Sequence, residues 1–130
     1  MKTRKIYITQ HDMERLRSLM EVYAENTDLL EEMLERARVV LPKNIPSDVV
    51  TMNSTVRVKD IDSGEERTFT LVFPGNKADN SAVSILAPAG TALIGRREKE
   101  IVERKVPAGR KRMQILEVVY QPEREGKYDV

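Results

Sequence analysis

The stretch Leu86-Ala87-Pro88-Ala89-Gly90-Thr91-Ala92-Leu93-Ile94-Gly95 decides the fold, because it interrupts a chain that is strand-like on both sides. Pro88 cannot donate to a sheet ladder and Gly90 can take positive φ, so the run through Ser84, Ile85 and Leu86 must stop there. Thr91 can then cap a short helix through Ala92, Leu93 and Ile94, which Gly95 closes in left-handed geometry. One turn of helix is unstable alone, so Leu93 and Ile94 must pin it on a sheet.

That sheet is legible on either side. Val56 and Val58 alternate with Arg57 and Lys59, Asp62-Ser63-Gly64 makes a hairpin turn, and Phe69, Leu71 and Phe73 alternate with Thr68, Thr70 and Val72. Pro74 to Asn80 reads as a loop and Ala82 to Leu86 as a strand. After the short helix come Glu100 to Val106, a Pro107-Ala108-Gly109 turn, and Lys111 to Tyr120. Five strands with one inserted helix predict a small α+β domain with an antiparallel sheet over residues 47–121.

Residues 1–46 follow a different period. Thr9-Gln10-His11-Asp12 has capping-box spacing, and Met13, Leu16, Leu19, Met20 and Tyr23 recur as on a helix. Leu29 or Leu30, Met33, Leu34, Ala37, Val40 and Leu41 define a second helix, with Asn26 or Thr27 as cap. The short gap between them predicts an antiparallel hairpin, with arms of about 14 residues or roughly 20 Å, a stubby projection. Pro42 and Pro46 end the second helix and make a linker. The tail, 122–130, is charged and Pro-punctuated, with nothing in it that forces order.

Bulk properties remove several functions. At 130 residues, 40% hydrophobic and 33% charged, the chain is globular rather than disordered. No apolar run approaches the roughly 18 residues of a membrane span, and Met1 to Lys5 leads into no signal-peptide core, so no membrane partner is expected. Zero Cys excludes disulfides and fits a cytoplasmic protein. His11, the sole histidine, has no partner at ligand spacing, and no Gly-rich phosphate loop is present, so neither a metal nor a cofactor is expected.

The net charge of +1 conceals a division. His11 to Arg38 holds eight acids and four bases, whereas Gly95 to Arg112 holds eight bases and three acids. Arg96, Arg97, Arg110, Lys111 and Arg112 suggest a basic patch for weak contact with nucleic acid. No aromatics are interleaved with them, which argues against base stacking, and adjacent strand residues point to opposite faces. Both charged regions are equally readable as solvated faces.

Taken together, Val56-Arg57-Val58, Asp62-Ser63-Gly64-Glu65, Pro88, Ala92-Leu93-Ile94-Gly95, Val106-Pro107-x-Gly109 and Ile115-Leu116-Glu117-Val118-Val119-Tyr120 resemble the bacterial Gre transcription factors. Asp48 to Ser54, Ala87-Pro88-x-Gly90 and Tyr120-Gln121-Pro122-Glu123 with Gly126 and Tyr128 are similar to one branch, the regulator of nucleoside diphosphate kinase, or Rnk. The resemblance implies an FKBP-like C-terminal domain that docks on the rim of the RNA polymerase secondary channel while the hairpin points inward. It places the docking loop at Leu86, Ala87, Pro88 and Ala89.

In Gre cleavage factors the hairpin tip carries Asp-x-x-Glu-Asn, which helps the polymerase hold a second Mg²⁺ and its nucleophilic water. Aligning Glu25-Asn26 with that motif puts Val22 where the first Asp belongs. Glu25 and Asp28 are the nearest substitute, across the turn, and ordinary turn and helix-dipole chemistry also explains them. The arms are also shorter. The expectation is therefore a polymerase-binding elongation regulator, not an enzyme, without transcript cleavage and competing with cleavage factors. Alternatives are a nucleic-acid or other protein-interaction module, including direct action on nucleoside diphosphate kinase. A peptidyl-prolyl isomerase would need a deep aromatic pocket that two Phe, four Tyr and no Trp do not supply. Met13, Met20 and Met33 on the hairpin offer an adaptable surface for a homo-oligomer. Lys99-Glu100, where the family often has Gly-Asp, puts the turn after the short helix in doubt.

Overall fold

The computed structural model describes residues 6–23, 27–75, 81–107 and 109–128. Strand β3 (Thr55–Asp60) and strand β4 (Glu66–Val72) form the hairpin the alternation predicts. Val56, Val58, Phe69 and Leu71 point into the core. At the turn, Asp60 Oδ1 accepts the amides of Asp62 and Ser63 at 2.9 and 3.1 Å, and Gly64 takes φ +78°. Strand β6 (Ile101–Val106) and strand β7 (Gly109–Tyr120) follow as expected. With β5 (Ala82–Ser84) they complete a mixed, mostly antiparallel sheet in the order β5-β4-β3-β7-β6. Within this five-stranded sheet β5 alone runs parallel to its neighbour, β4.

The inserted helix, α3 (Pro88–Leu93), begins four residues earlier than Thr91 capping implies, with Ala87 in the cap position. Pro88 occupies its first turn, where a missing amide hydrogen costs nothing. Thr91 lies inside the helix, and its hydroxyl donates to the Ile85 carbonyl at 2.6 Å. Gly90 is required by close approach rather than by positive φ, since a Cβ there would overlap the Ser84 carbonyl and crowd Leu71 Cδ1. Gly95 does take φ +79° and ends the turn after α3. Leu93 and Ile94 are buried against the sheet as expected.

The Lys99-Glu100 turn survives its unusual composition. Lys99 holds φ +77° while its amide donates to the Ile115 carbonyl at 2.7 Å. Glu100 is buried, accepts the Arg97 amide at 3.2 Å, and faces the Arg96 guanidinium at 3.7 Å. Left-handed backbone costs a side-chain-bearing residue roughly 1–2 kcal/mol, partly offset because glycine loosens the unfolded chain. Lys99→Gly should therefore raise stability by up to about 1 kcal/mol, read as a higher urea midpoint at unchanged slope.

The N-terminal part differs more from expectation. Helix α1 (Gln10–Val22) is capped by Thr9, whose Oγ1 accepts the Asp12 amide at 3.0 Å. Helix α2 (Asp28–Arg36) buries Leu30, Met33 and Leu34 but stops short. Strand β2 (Ala37–Val40) then pairs in parallel with β1 (Ile6–Thr9), Ile6 opposite Ala37 and Thr9 opposite Val40. Ala37 and Val40 fit helical spacing, but β-branched Val39 and Val40 are better placed in a strand once β1 offers a partner. Pro42 consequently opens a single 3₁₀ turn (Pro42–Asn44) instead of ending a helix.

The helical pair is not a free projection. Ile6, Ile8, Leu16, Leu30, Met33 and Leu34 share one core with Val50, Leu71, Leu93 and Ile115. Met33 is thereby removed from any surface for oligomerisation, and Met13 and Met20 pack against the same core. The junction runs through Gly95. Its carbonyl accepts the Tyr7 amide at 3.1 Å and its amide donates to the Val50 carbonyl at 2.9 Å.

The first half of the tail is also tied down. Gln121 is fully buried, and its Nε2 donates to the carbonyls of Pro46 and Val49 at 2.9 and 2.8 Å. Arg124 donates to the Val119 carbonyl at 2.9 Å from a 3₁₀ turn over Pro122–Glu125. These bonds hold the linker at Pro46 to Val49 against the end of β7.

Candidate docking site

The Leu86–Ala89 loop is built as a rigid corner. The Leu86 amide donates to Ser84 Oγ at 3.1 Å, the Ala87 amide to the Ser84 carbonyl at 3.0 Å, and the Thr91 amide to the Ala87 carbonyl at 3.0 Å. Behind it Gly90, Thr91, Ala92 and Leu93 are buried, so the corner cannot shift without opening the core. Pro88 itself is exposed, and Leu86, Ala87 and Ala89 are half-buried. An exposed proline on a buried, hydrogen-bonded base loses little entropy when it meets a partner.

Of the hairpin-tip residues, Glu25 and Asn26 lie outside the described residues. Asp28 is exposed at the start of α2 and borders a hollow of about 430 Å³ together with Leu29, Leu86, Pro88 and Thr91. The fold thus brings one end of the hairpin turn against the predicted docking loop. Val22, at the end of α1, is 75% exposed. Thr27 is the backbone cap of α2, without a side-chain cap bond.

The basic residues do not form one free surface. Arg97 meets Asp48 at 2.9 Å, Arg110 meets Glu103 at 2.6 Å, Lys111 meets Asp60 at 3.5 Å and Arg112 meets Asp62 at 3.1 Å. Arg96 is largely buried and faces Glu100. On β7, Lys111 points away from Arg110 and Arg112, as strand alternation requires. The acids of α2 present the reverse case. Asp28, Glu31, Glu32 and Glu35 make no ion pair among the described residues.

Sequence reasoning missed a polar cluster joining α1 to the tail. The Asp12 carboxylate is 1% exposed, accepts the Met52 amide at 3.1 Å and pairs with Arg15 at 2.7 Å. The Arg15 guanidinium lies 4.7 Å from the centre of the Phe73 ring. Nearby, Thr51 Oγ1 donates to Glu123 Oε1 at 2.8 Å, and Ser54 Oγ accepts the Thr51 amide at 2.9 Å. The capping-box spacing pointed at Asp12, but its carboxylate serves a residue forty positions away that no local pattern reveals.

Burial pushes the Asp12 carboxyl up from its ordinary value of 3.8, against the opposing pull of Arg15 and the Met52 amide. Burial likewise raises Glu123 above 4.5, against the Thr51 hydroxyl. A carboxyl with a raised folded-state pKa binds its proton more readily in the folded chain. Its favourable contribution is complete below the ordinary value and is lost as pH rises through the folded-state value. The urea midpoint should therefore rise as pH falls from neutral into the ordinary carboxyl range, and Asp12→Asn should flatten that slope. Asp60, held low by the amides of Ser63 and Asp62, acts in the opposite direction only at more acid pH.

Two family matches divide the chain much as the fold does. Residues 45–120 match the C-terminal region of the transcription elongation factors GreA and GreB, and residues 4–40 match the Rnk N-terminus. The regulator of nucleoside diphosphate kinase of Escherichia coli (strain K12) is 40% identical over 129 residues, 95% of both chains. Transcription elongation factor GreA of Clostridioides difficile (strain 630) is 40% identical over 91 residues, 68% of this chain and 57% of that protein. A solved prokaryotic transcription elongation factor GreA/GreB from Nitrosomonas europaea is 44% identical, with TM-score 0.75 over 91% of this chain and 100% of that one. The chain belongs to the GreA/GreB family of transcription elongation factors. Within it, the N-terminal match and the end-to-end likeness to the kinase regulator put it in the Rnk branch.

Proposed function

We propose that this chain docks on RNA polymerase at the secondary-channel rim through Leu86–Ala89, does not stimulate transcript cleavage, and competes there with the longer cleavage factors. The observation that carries this reading is the position of Asp28 beside Leu86 and Pro88. A cleavage factor needs its acidic tip far from its docking loop, so that one reaches the active centre while the other holds the rim. Here the tip side of α2 borders the docking loop, and the apolar faces of both helices are committed to the common core. Helix α1 spans only 13 residues, about 20 Å at ~1.5 Å per residue. Exposed Val22 at the aligned acidic position supports the same reading, since it supplies no metal ligand.

The nucleic-acid alternative is weakened by the ion pairs of Arg97, Arg110, Lys111 and Arg112, each of which would have to release a carboxylate to hold a phosphate. Pro88→Asp tests the docking reading. An aspartate suits the first turn of a helix, so the melting temperature should move little. Loss of an apolar anchor and burial of a charge should weaken binding to core RNA polymerase by about 30-fold or more, or 2 kcal/mol. Binding unchanged by Pro88→Asp would place the contact elsewhere.

A further inference from the structure

The turn at Thr51 to Ser54 is gripped from two sides. Asp12 of α1 accepts the Met52 amide, and Glu123 of the C-terminal 3₁₀ turn accepts the Thr51 hydroxyl, so two carboxylates hold neighbouring residues of one turn. Thr51 and Ser54 are both buried, with 2.8 Å between their hydroxyl oxygens. Thr51 gives its single hydroxyl hydrogen to Glu123, so Ser54 donates to Thr51. One guanidinium answers both acids. Arg15 pairs with Asp12 and rests against the Phe73 ring, while its buried Nε has no partner among the described residues. His11, next to Asp12, is the other titratable group of α1 that acts on that carboxylate. Arg124 reaches back to the Val119 carbonyl and does not serve Glu123. With His11 neutral, two carboxylates and one guanidinium leave one negative charge uncompensated.

We propose that this cluster is a proton-operated clasp between α1 and the C-terminal turn, closed when the Asp12–Glu123 pair holds one proton and loosened when both carboxyls are ionised. The two sides are held differently, and that decides which one yields. Asp12 is 1% exposed and keeps both Arg15 and the Met52 amide. Glu123 is half-buried on a four-residue turn and has one hydroxyl to bind. When the second proton leaves, Glu123 is the side chain that turns out to water, where its charge is solvated. Gln121, bound to the Pro46 and Val49 carbonyls, anchors the chain just before it, so the change stays within the turn and leaves β7 in place. The charge on Asp12 adds to burial in raising the Glu123 carboxyl, and such a pair titrates as a unit. Closure is therefore complete below the ordinary value and is lost as pH rises through the folded-state value. The clasp is independent of where the chain meets the polymerase.

The test follows the full-length chain by NMR from neutral pH down past the ordinary carboxyl values, 4.5 for glutamate and 3.8 for aspartate. It reads the side-chain carboxyl carbons of Asp12 and Glu123 and, corrected for intrinsic rates, exchange of two amides that report the turn. These are Gly126, which donates to the Glu123 carbonyl at 3.0 Å, and Lys127, which donates to the Pro122 carbonyl at 2.9 Å. Both amides should gain protection as Glu123 takes its proton, about tenfold for each unit by which its midpoint lies above 4.5. Asp12→Asn still offers an oxygen to the Met52 amide but no charge, so it should lower the Glu123 midpoint. Glu123→Gln accepts the Thr51 hydroxyl without ionising and should hold the turn closed, with protection the same at every pH. A Glu123 that titrates at 4.5, or wild-type protection that does not change with pH, overturns the clasp. A Glu123 midpoint that Asp12→Asn leaves unmoved overturns the sharing of the proton between α1 and the turn.

Discussion

Leu93→Asp will leave most of the chain unfolded at 37 °C. Leu93 is 0% exposed, on the buried face of α3, in the one cluster that joins the helices to the sheet. Losing a buried leucine costs about 2–5 kcal/mol, and a carboxyl with no partner in that site costs several more. Total stability of a domain this size is about 5–15 kcal/mol, so the substitution removes most or all of it. Leu93→Ile keeps volume and polarity and should cost under about 1.5 kcal/mol. Circular dichroism with urea titration reads both. A Leu93→Asp chain that melts like the wild type would mean that α3 does not cover the sheet.

Gly95→Val should produce the second-largest loss, about 3–4 kcal/mol, and a more local one. At φ +79° a β-branched side chain is strained, and even a Cβ would overlap Ile6 and come within 3.1 Å of the Tyr7 carbonyl. Both penalties fall on the seam where β1 hangs on Gly95. Amide exchange at Tyr7 should quicken before exchange in β3 or β7, because the N-terminal strand separates first. Gly64→Val separates the two causes. Gly64 has nearly the same φ, +78°, but open space where the Cβ would go, so it bears strain alone and should cost about half as much. Equal losses at the two sites would deny that β1 packs on the turn after α3.

How far the sequence could be read depends on where each residue finds its partner. The β3–β4 hairpin was legible because Asp60, Asp62, Ser63 and Gly64 satisfy one another within five residues, and alternation at Val56, Val58, Phe69 and Leu71 sets the face. Pro88 and Gly95 mark the insertion, whereas Gly90 answers to close approach and not to positive φ. Its constraint is the Ser84 carbonyl, which is invisible to a rule about φ. The parallel pair β1–β2 escaped because four residues such as Ile6–Thr9 carry too little periodicity. Ala37 and Val40 also satisfy the helical pattern until β1 competes for them.

The site was half legible for the same reason. Pro88 as an exposed rigid corner follows from local chemistry. The closeness of Asp28 to that corner is a long-range consequence of burying Leu30, Met33 and Leu34. Counting charges located the basic region but not the aspartates and glutamates that pair with it across strands, such as Asp62 with Arg112. It also located the acidic helices without showing that the carboxylates of α2 form no ion pair among the described residues.

The central claim, a polymerase ligand that occupies the rim without cleavage, is tested most directly on stalled elongation complexes supplied with a Gre cleavage factor. Increasing amounts of this chain should suppress transcript shortening, while the chain alone releases no cleavage products and Pro88→Asp has no effect. Cleavage products released by the chain alone would show that its hairpin tip does reach the metal, and would contradict the account.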